Sequence, residues 1–177
     1  MVNFLLDKRG NFSVFRVSLA VLVIGILVVL LAFVAVFFEQ ESLRSPLEVN
    51  VPSNAEEWVV ESSGTSERRT FYRIADGDAE QIANFYNDQL LNFPPNRPDD
   101  NGQQEECQRT PPAGNFPDFD RGESNVSFFW RCFFGRSAGG SEQYTIVSIY
   151  PGFVNEEFPE LSSDGYIVIE YEQNWQP

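Results

Sequence analysis

Residues Val17 to Phe38 read VSLAVLVIGILVVLLAFVAVFF, with no charged residue and no proline. The hydrocarbon core of a bilayer is about 30 Å thick, and roughly 20 apolar helical residues cross it. A helix satisfies its own backbone hydrogen bonds in lipid, so the run predicts one transmembrane helix over 17–38. The chain then divides into a short leader (1–16), the helix, a polar linker with Pro46 and Pro52 (39–54), and a domain (55–177).

The flanks of the run set its expected direction. Lys8, Arg9 and Arg16 precede it against Asp7 alone, and all other acidic residues follow it. Basic residues beside a span favour the cytoplasmic side. The leader is therefore expected in the cytoplasm and the domain outside, on a bacterial inner membrane. A cleaved signal peptide fits less well: its apolar region is usually only about 7–15 residues and ends in small residues. Here Phe37, Phe38 and Glu39 occupy that place. A type IV pilin leader also fails, because Gly10 is followed by Asn11 and Phe15 stands where that pattern has glutamate.

The formal net charge is −14 and the chain has no histidine. An acidic outer segment repels nucleic acids and anionic membrane surfaces, so no nucleic-acid partner is expected. Cys107 and Cys132 are the only cysteines. Both follow the span, on the side where disulfides persist, and are expected to be bonded. Two cysteines without histidine exclude the common zinc sets and haem-attachment motifs.

The expected domain is α+β: one helix on an antiparallel sheet of about five strands. Trp58–Val60 and Arg69–Ala75, separated by Ser62-Ser63-Gly64-Thr65-Ser66, suggest a hairpin with Thr70, Tyr72 and Ile74 on one face. Asp78–Phe93 is the helix. Asp78 and Gln81 have capping-box spacing, Ile82, Phe85, Tyr86, Leu90 and Phe93 form the apolar stripe, and Pro94-Pro95 ends it. A long Pro-rich loop follows at 94–124, interrupted by a short strand near Cys107. Three strands close the domain: 126–135, 144–150 and 166–171. Their connections suit a meander. In the first, Val126, Phe128, Trp130, Cys132 and Phe134 alternate with Phe129, Arg131 and Phe133, which predicts a central strand covered on both faces.

Catalytic signals are poor. Histidine, the commonest general base, is missing, no serine sits in a nucleophile elbow, and Gly139-Gly140 lacks the lysine of a phosphate loop. Asp118, Asp120 and Glu123 resemble part of a calcium loop, but Gly122 holds the fifth place where a ligand belongs. Asp99-Asp100 and Glu105-Glu106 read as solvated loop acids. Neither an enzyme, a metal nor a cofactor is expected.

Aromatic residues carry more functional weight. A small domain has limited core volume, so surplus rings belong at the surface or under loops, where they mark contact sites. Phe129, Arg131 and Phe133 on the strand, with Phe116 and Phe119 in the loop, are the candidate partner interface. On the span, Gly25 and Ala32 are candidate helix-packing positions, where small residues admit a close neighbour.

The layout of a single span followed by an acidic, aromatic-rich domain resembles the small single-pass accessory subunits of bacterial membrane electron-transfer complexes, such as alternative complex III. The resemblance is one of plan. It implies a non-catalytic, membrane-anchored subunit of a larger assembly, with integral and extracytoplasmic partners in respiration or photosynthesis. Two other readings compete. One is a stand-alone envelope receptor or sensor holding a ligand between the sheet and the long loop. The other is a hydrolase using two carboxylates about 5–10 Å apart across a cleft.

Overall fold

The computed structural model describes residues 14–93, 106–117, 126–138 and 141–176. The chain forms two compact units, Met1–Ser42 and Leu43–Pro177.

The first unit is helix α1, Val14–Ser42. It is long and apolar enough to cross a membrane, and none of its apolar stretch is buried. It runs past both ends of the expected span, because Val14-Phe15-Arg16 and Glu39–Ser42 carry no residue that stops a helix.

The second unit is α+β. Its elements are β1 (Glu56–Ser63), β2 (Glu67–Ala75), α2 (Ala79–Leu91), β3 (Gln108–Thr110), β4 (Phe129–Ala138), β5 (Ser141–Pro151) and β6 (Tyr166–Asn174). They form one open sheet of six strands in the order β1-β2-β6-β5-β4-β3, one more than the approximate count expected. All pairs are antiparallel. The β1–β2 hairpin and the β4-β5-β6 meander join where β2 pairs with β6. The hairpin turns at Gly64, whose φ of 75° suits a residue without a Cβ.

The period of two separates the faces of the sheet. Thr70 and Ile74 of β2, Thr145, Val147 and Ile149 of β5, Cys132 and Phe134 of β4, and Ile169 and Tyr171 of β6 are buried on one face. Helix α2 covers that face with Ala79, Ile82, Ala83, Tyr86 and Leu90, while Phe93 packs against the same core. Asp78 caps α2, accepting from the Glu80 backbone N–H at 2.9 Å. The bond thus runs to the second residue of the helix and not to the position of Gln81 that the capping-box spacing suggested.

Two expectations need correction. The segment 43–54 is no linker. Leu43 and Leu47 are buried, and Val49, Val51 and Ala55 pack on the core. The Leu47 carbonyl accepts from Thr145 Oγ1 (2.6 Å) and Gln173 Nε2 (2.8 Å), and the Asn50 carbonyl from Tyr171 Oη (3.1 Å) and Gln89 Nε2 (3.1 Å). Alternate apolar residues in a polar stretch let an extended segment lie on the core without a ladder of its own. Second, among the described residues no second layer covers the whole outer face of β4; only Phe129 is half-buried there, beneath Phe116. Cys132 and Phe134 are buried, whereas Arg131 and Phe133 are exposed, because α2 packs on one side only.

The short strand beside Cys107 is present as β3, paired with residues 129–131 of β4. The Cys107–Cys132 disulfide is formed. Asn87 Oδ1 on α2 accepts from the Cys107 N–H at 2.7 Å, tying strand, bridge and helix together.

Candidate functional site

The face of the sheet turned away from α2 carries the site. By strand register, Glu61, Arg69, Glu172, Ile146 and Phe133 form one row across β1, β2, β6, β5 and β4. A second row runs through Val59, Phe71, Glu170, Ser148 and Arg131. Apolar and charged residues therefore alternate over a face that α2 does not cover.

Of the sequence-predicted interface residues, Phe129, Arg131 and Phe133 share this face of β4. Phe133 is 38% exposed and stacks on Tyr144, ring centroids 5.9 Å apart. Phe116 joins them from the loop, stacked on Phe129 at 6.2 Å, and its N–H donates to Ser127 O at 2.7 Å. The loop thus folds back over Phe129 and leaves Phe133 and Arg131 exposed. Phe119 lies outside the described residues, as do Asp99, Asp100, Glu105, Asp118, Asp120 and Glu123. Among the described residues no group of three or more His, Cys, Asp or Glu is placed to hold a metal ion.

At the β1 end of the same face, the connection between β5 and β6 folds over the sheet. Gly152 makes this possible. A Cβ there would lie 1.7 Å from the Ser163 carbonyl oxygen, so only glycine fits the approach. The Gly152 N–H donates to Tyr166 O at 2.7 Å and the Ser163 N–H to Phe153 O at 3.0 Å, closing the loop. Inside it, Asn155 Oδ1 accepts from the N–H groups of Glu157 and Phe158.

Beneath this loop is a cleft of about 160 Å³ lined by Trp58, Val59, Phe71, Phe153, Leu161 and Val168, with Glu61, Tyr150, Asn155 and Ser163 as polar members. At its margin the Tyr150 hydroxyl donates to Glu170 Oε2 at 3.3 Å. Burial raises the Glu170 carboxyl above its ordinary range. Arg69 and the Tyr150 bond oppose that shift, and Glu172 and Glu61 add to it. Burial likewise raises the Tyr150 hydroxyl, which keeps it protonated as the donor. Arg73 is engaged: its Nε donates to Glu56 Oε2 at 3.1 Å, and its guanidinium lies 5.8 Å from the Trp58 ring centre and 5.1 Å from that of Tyr166.

Sequence reasoning missed this cleft. Its walls come from β1, β2, β6 and the β5–β6 connection, and the loop that roofs it carries no periodic signal. The one available sign was alternation in β2: placing Thr70, Tyr72 and Ile74 inside necessarily turns Arg69, Phe71 and Arg73 to the other face.

On α1, Gly25 forms a shallow apolar notch with Leu22, Ile26, Val29 and Leu30. Nothing lies within 4 Å of the place its Cβ would take. Ala32 is two helical turns further along the same face.

Comparison with family models, curated proteins and solved structures finds no match to this chain.

Proposed function

We propose that this protein is a non-catalytic, membrane-anchored accessory subunit of a larger membrane complex, with respiratory or photosynthetic electron transfer as the setting. Helix α1 spans the inner membrane with its N-terminus in the cytoplasm. It packs against neighbouring spans through the Gly25 notch and Ala32. The α+β domain stands on the extracytoplasmic side and docks on a partner through the open face of its sheet.

The observation that carries this reading is the unequal treatment of the two sheet faces. One is sealed by α2. The other displays Phe133 and Arg131 beside the Phe116–Phe129 stack. Arginine and aromatic residues are enriched where interfaces concentrate their binding energy. Purification in a mild detergent tests the reading. Stoichiometric integral and extracytoplasmic proteins are expected to accompany the chain, and R131A/F133A is expected to release at least the extracytoplasmic one. A monodisperse monomer without companions overturns the proposal.

The alternative, an envelope ligand-binding or sensor protein, is favoured by one observation, the cleft beneath the Gly152–Gly165 loop. Ligand-dependent thermal stabilisation of a chain purified without partners is the result that would put it first.

A further inference from the structure

The cleft has a size and a chemistry that select a ligand class. A cavity of about 150 Å³ accepts a benzene-sized molecule, and this one is about 160 Å³. Trp58, Phe71 and Phe153 supply aromatic walls, with Leu161 and Val168 completing the apolar lining. Such walls favour a flat ring or a short alkyl chain.

The charge around the cleft is unbalanced. Glu61 lines it from β1, and Glu170 of β6 stands at its margin, bonded to the lining Tyr150. Arg69 of β2 and Glu172 of β6 continue the row of Glu61, and Arg73 of β2 lies on the same face. Arg73 is held by Glu56 and by two rings, as described above. Arg69 Nε lies 3.9 Å from Glu67 Oε1, and in the register Arg69 stands between Glu61 and Glu172, so its charge is shared among Glu67, Glu61 and the β6 carboxylates. Glu61, Glu170 and Glu172 thus stand against one divided arginine. Glu61 and Glu172 both act unfavourably on the half-buried Glu170. A cation entering here relieves that repulsion, and its apolar body fills the space beneath the loop.

We infer that the cleft binds a small organic cation: a primary ammonium carried on an aromatic or short alkyl body. The body seats among Trp58, Phe71, Phe153 and Leu161, and the ammonium points to Glu61 and Glu170. This site is separate from the docking surface at Phe133 and Arg131, so it stands or falls independently of the accessory-subunit reading.

Titration calorimetry on the full chain in a neutral detergent, with benzylammonium as the probe and benzyl alcohol as its uncharged counterpart, tests the inference. Benzylammonium is expected to bind saturably and at least about tenfold more tightly than the alcohol. E61Q and E170Q, each verified as folded by a cooperative melting transition, are expected to weaken benzylammonium by about tenfold and leave the alcohol unchanged. L161W, which fills the cleft from its rim, is expected to abolish binding of both. Equal affinity for the two probes, no saturable binding of either, or unaltered benzylammonium affinity in both glutamine variants overturns the assignment. R131A/F133A serves as the control and is expected to leave the probe's affinity unchanged.

Discussion

Tyr86 and Tyr171 show how single hydroxyl groups fix this core. Tyr86 is fully buried and its hydroxyl meets that of Tyr171 at 2.7 Å. Because Tyr171 donates to the Asn50 carbonyl, Tyr86 is the donor within the pair. Helix α2, strand β6 and the 43–54 segment therefore meet in one chain of hydrogen bonds. Y86F removes one such bond and is expected to cost about 1 kcal/mol. Y171F leaves the Tyr86 hydroxyl buried without its acceptor and is expected to cost about 1–3 kcal/mol. The double variant should cost less than the sum, since the second change then strands no hydroxyl. Urea unfolding of the four proteins checks this. Burial raises both hydroxyls above the ordinary tyrosine value. The unfolded chain releases those protons near pH 10 and the folded one only higher. The contribution is thus fully present below about pH 10 and is lost as pH rises beyond it. The double phenylalanine variant should lack this share of the alkaline loss.

At the scale of elements, the weakest member of the sheet is β3, with three residues paired to β4. Three residues do not hold an edge strand by ladder bonds alone, so the Cys107–Cys132 bridge matters most here. It closes a sequence separation of 25 residues, for which the chain-entropy model gives roughly 3–4 kcal/mol. Reduction, or C107S/C132S, is expected to lower unfolding free energy by about that amount. Amide exchange at 108–110 should rise well before it does in β5 and β6. Equal protection of β3 with and without the bridge would show that other contacts hold it. The element reading from sequence was good wherever a period was present: the hairpin, α2 with its cap and the three final strands overlap the stretches that alternation or the helical stripe marked, although β4 starts three residues later than expected. The strand near Cys107 was placed by its expected bridge and not by a period. It failed for β4, where an apolar residue on each face was read as cover on each face. Arg131 and Phe133 belong to an exposed surface while Phe129 lies under Phe116, and nothing in a period-two pattern says whether a second layer exists.

For the whole molecule, the boundary of the folded unit is the point most open to test. The unit begins at Leu43, twelve residues before the Ala55 boundary that the polar composition of 39–54 implied. A chain of residues 43–177 is expected to unfold cooperatively. A chain of 55–177 loses the buried Leu43 and Leu47 side chains and strands the donors of Thr145, Gln173 and Tyr171. Those losses are on the order of the 5–15 kcal/mol that stabilises an ordinary domain. Circular dichroism melts of the two pieces should show a sharp transition only for the longer. Equal cooperativity would show that 43–54 is dispensable.

The apolar run by itself determined that one helix is long enough to span a membrane, and local periodicity determined the α+β class, the capped helix and most strands. These are properties of a few adjacent residues, in which side-chain spacing and backbone satisfaction leave one low-energy answer. Tertiary structure alone decided that the apparent linker is part of the core, that Arg131 and Phe133 of β4 are exposed, and that Trp58, Phe71 and Phe153 wall a cleft beside Glu61 and Glu170. Each of those depends on which distant segments come into contact. Burial and electrostatic environment are set by that three-dimensional proximity, and no local pattern encodes it.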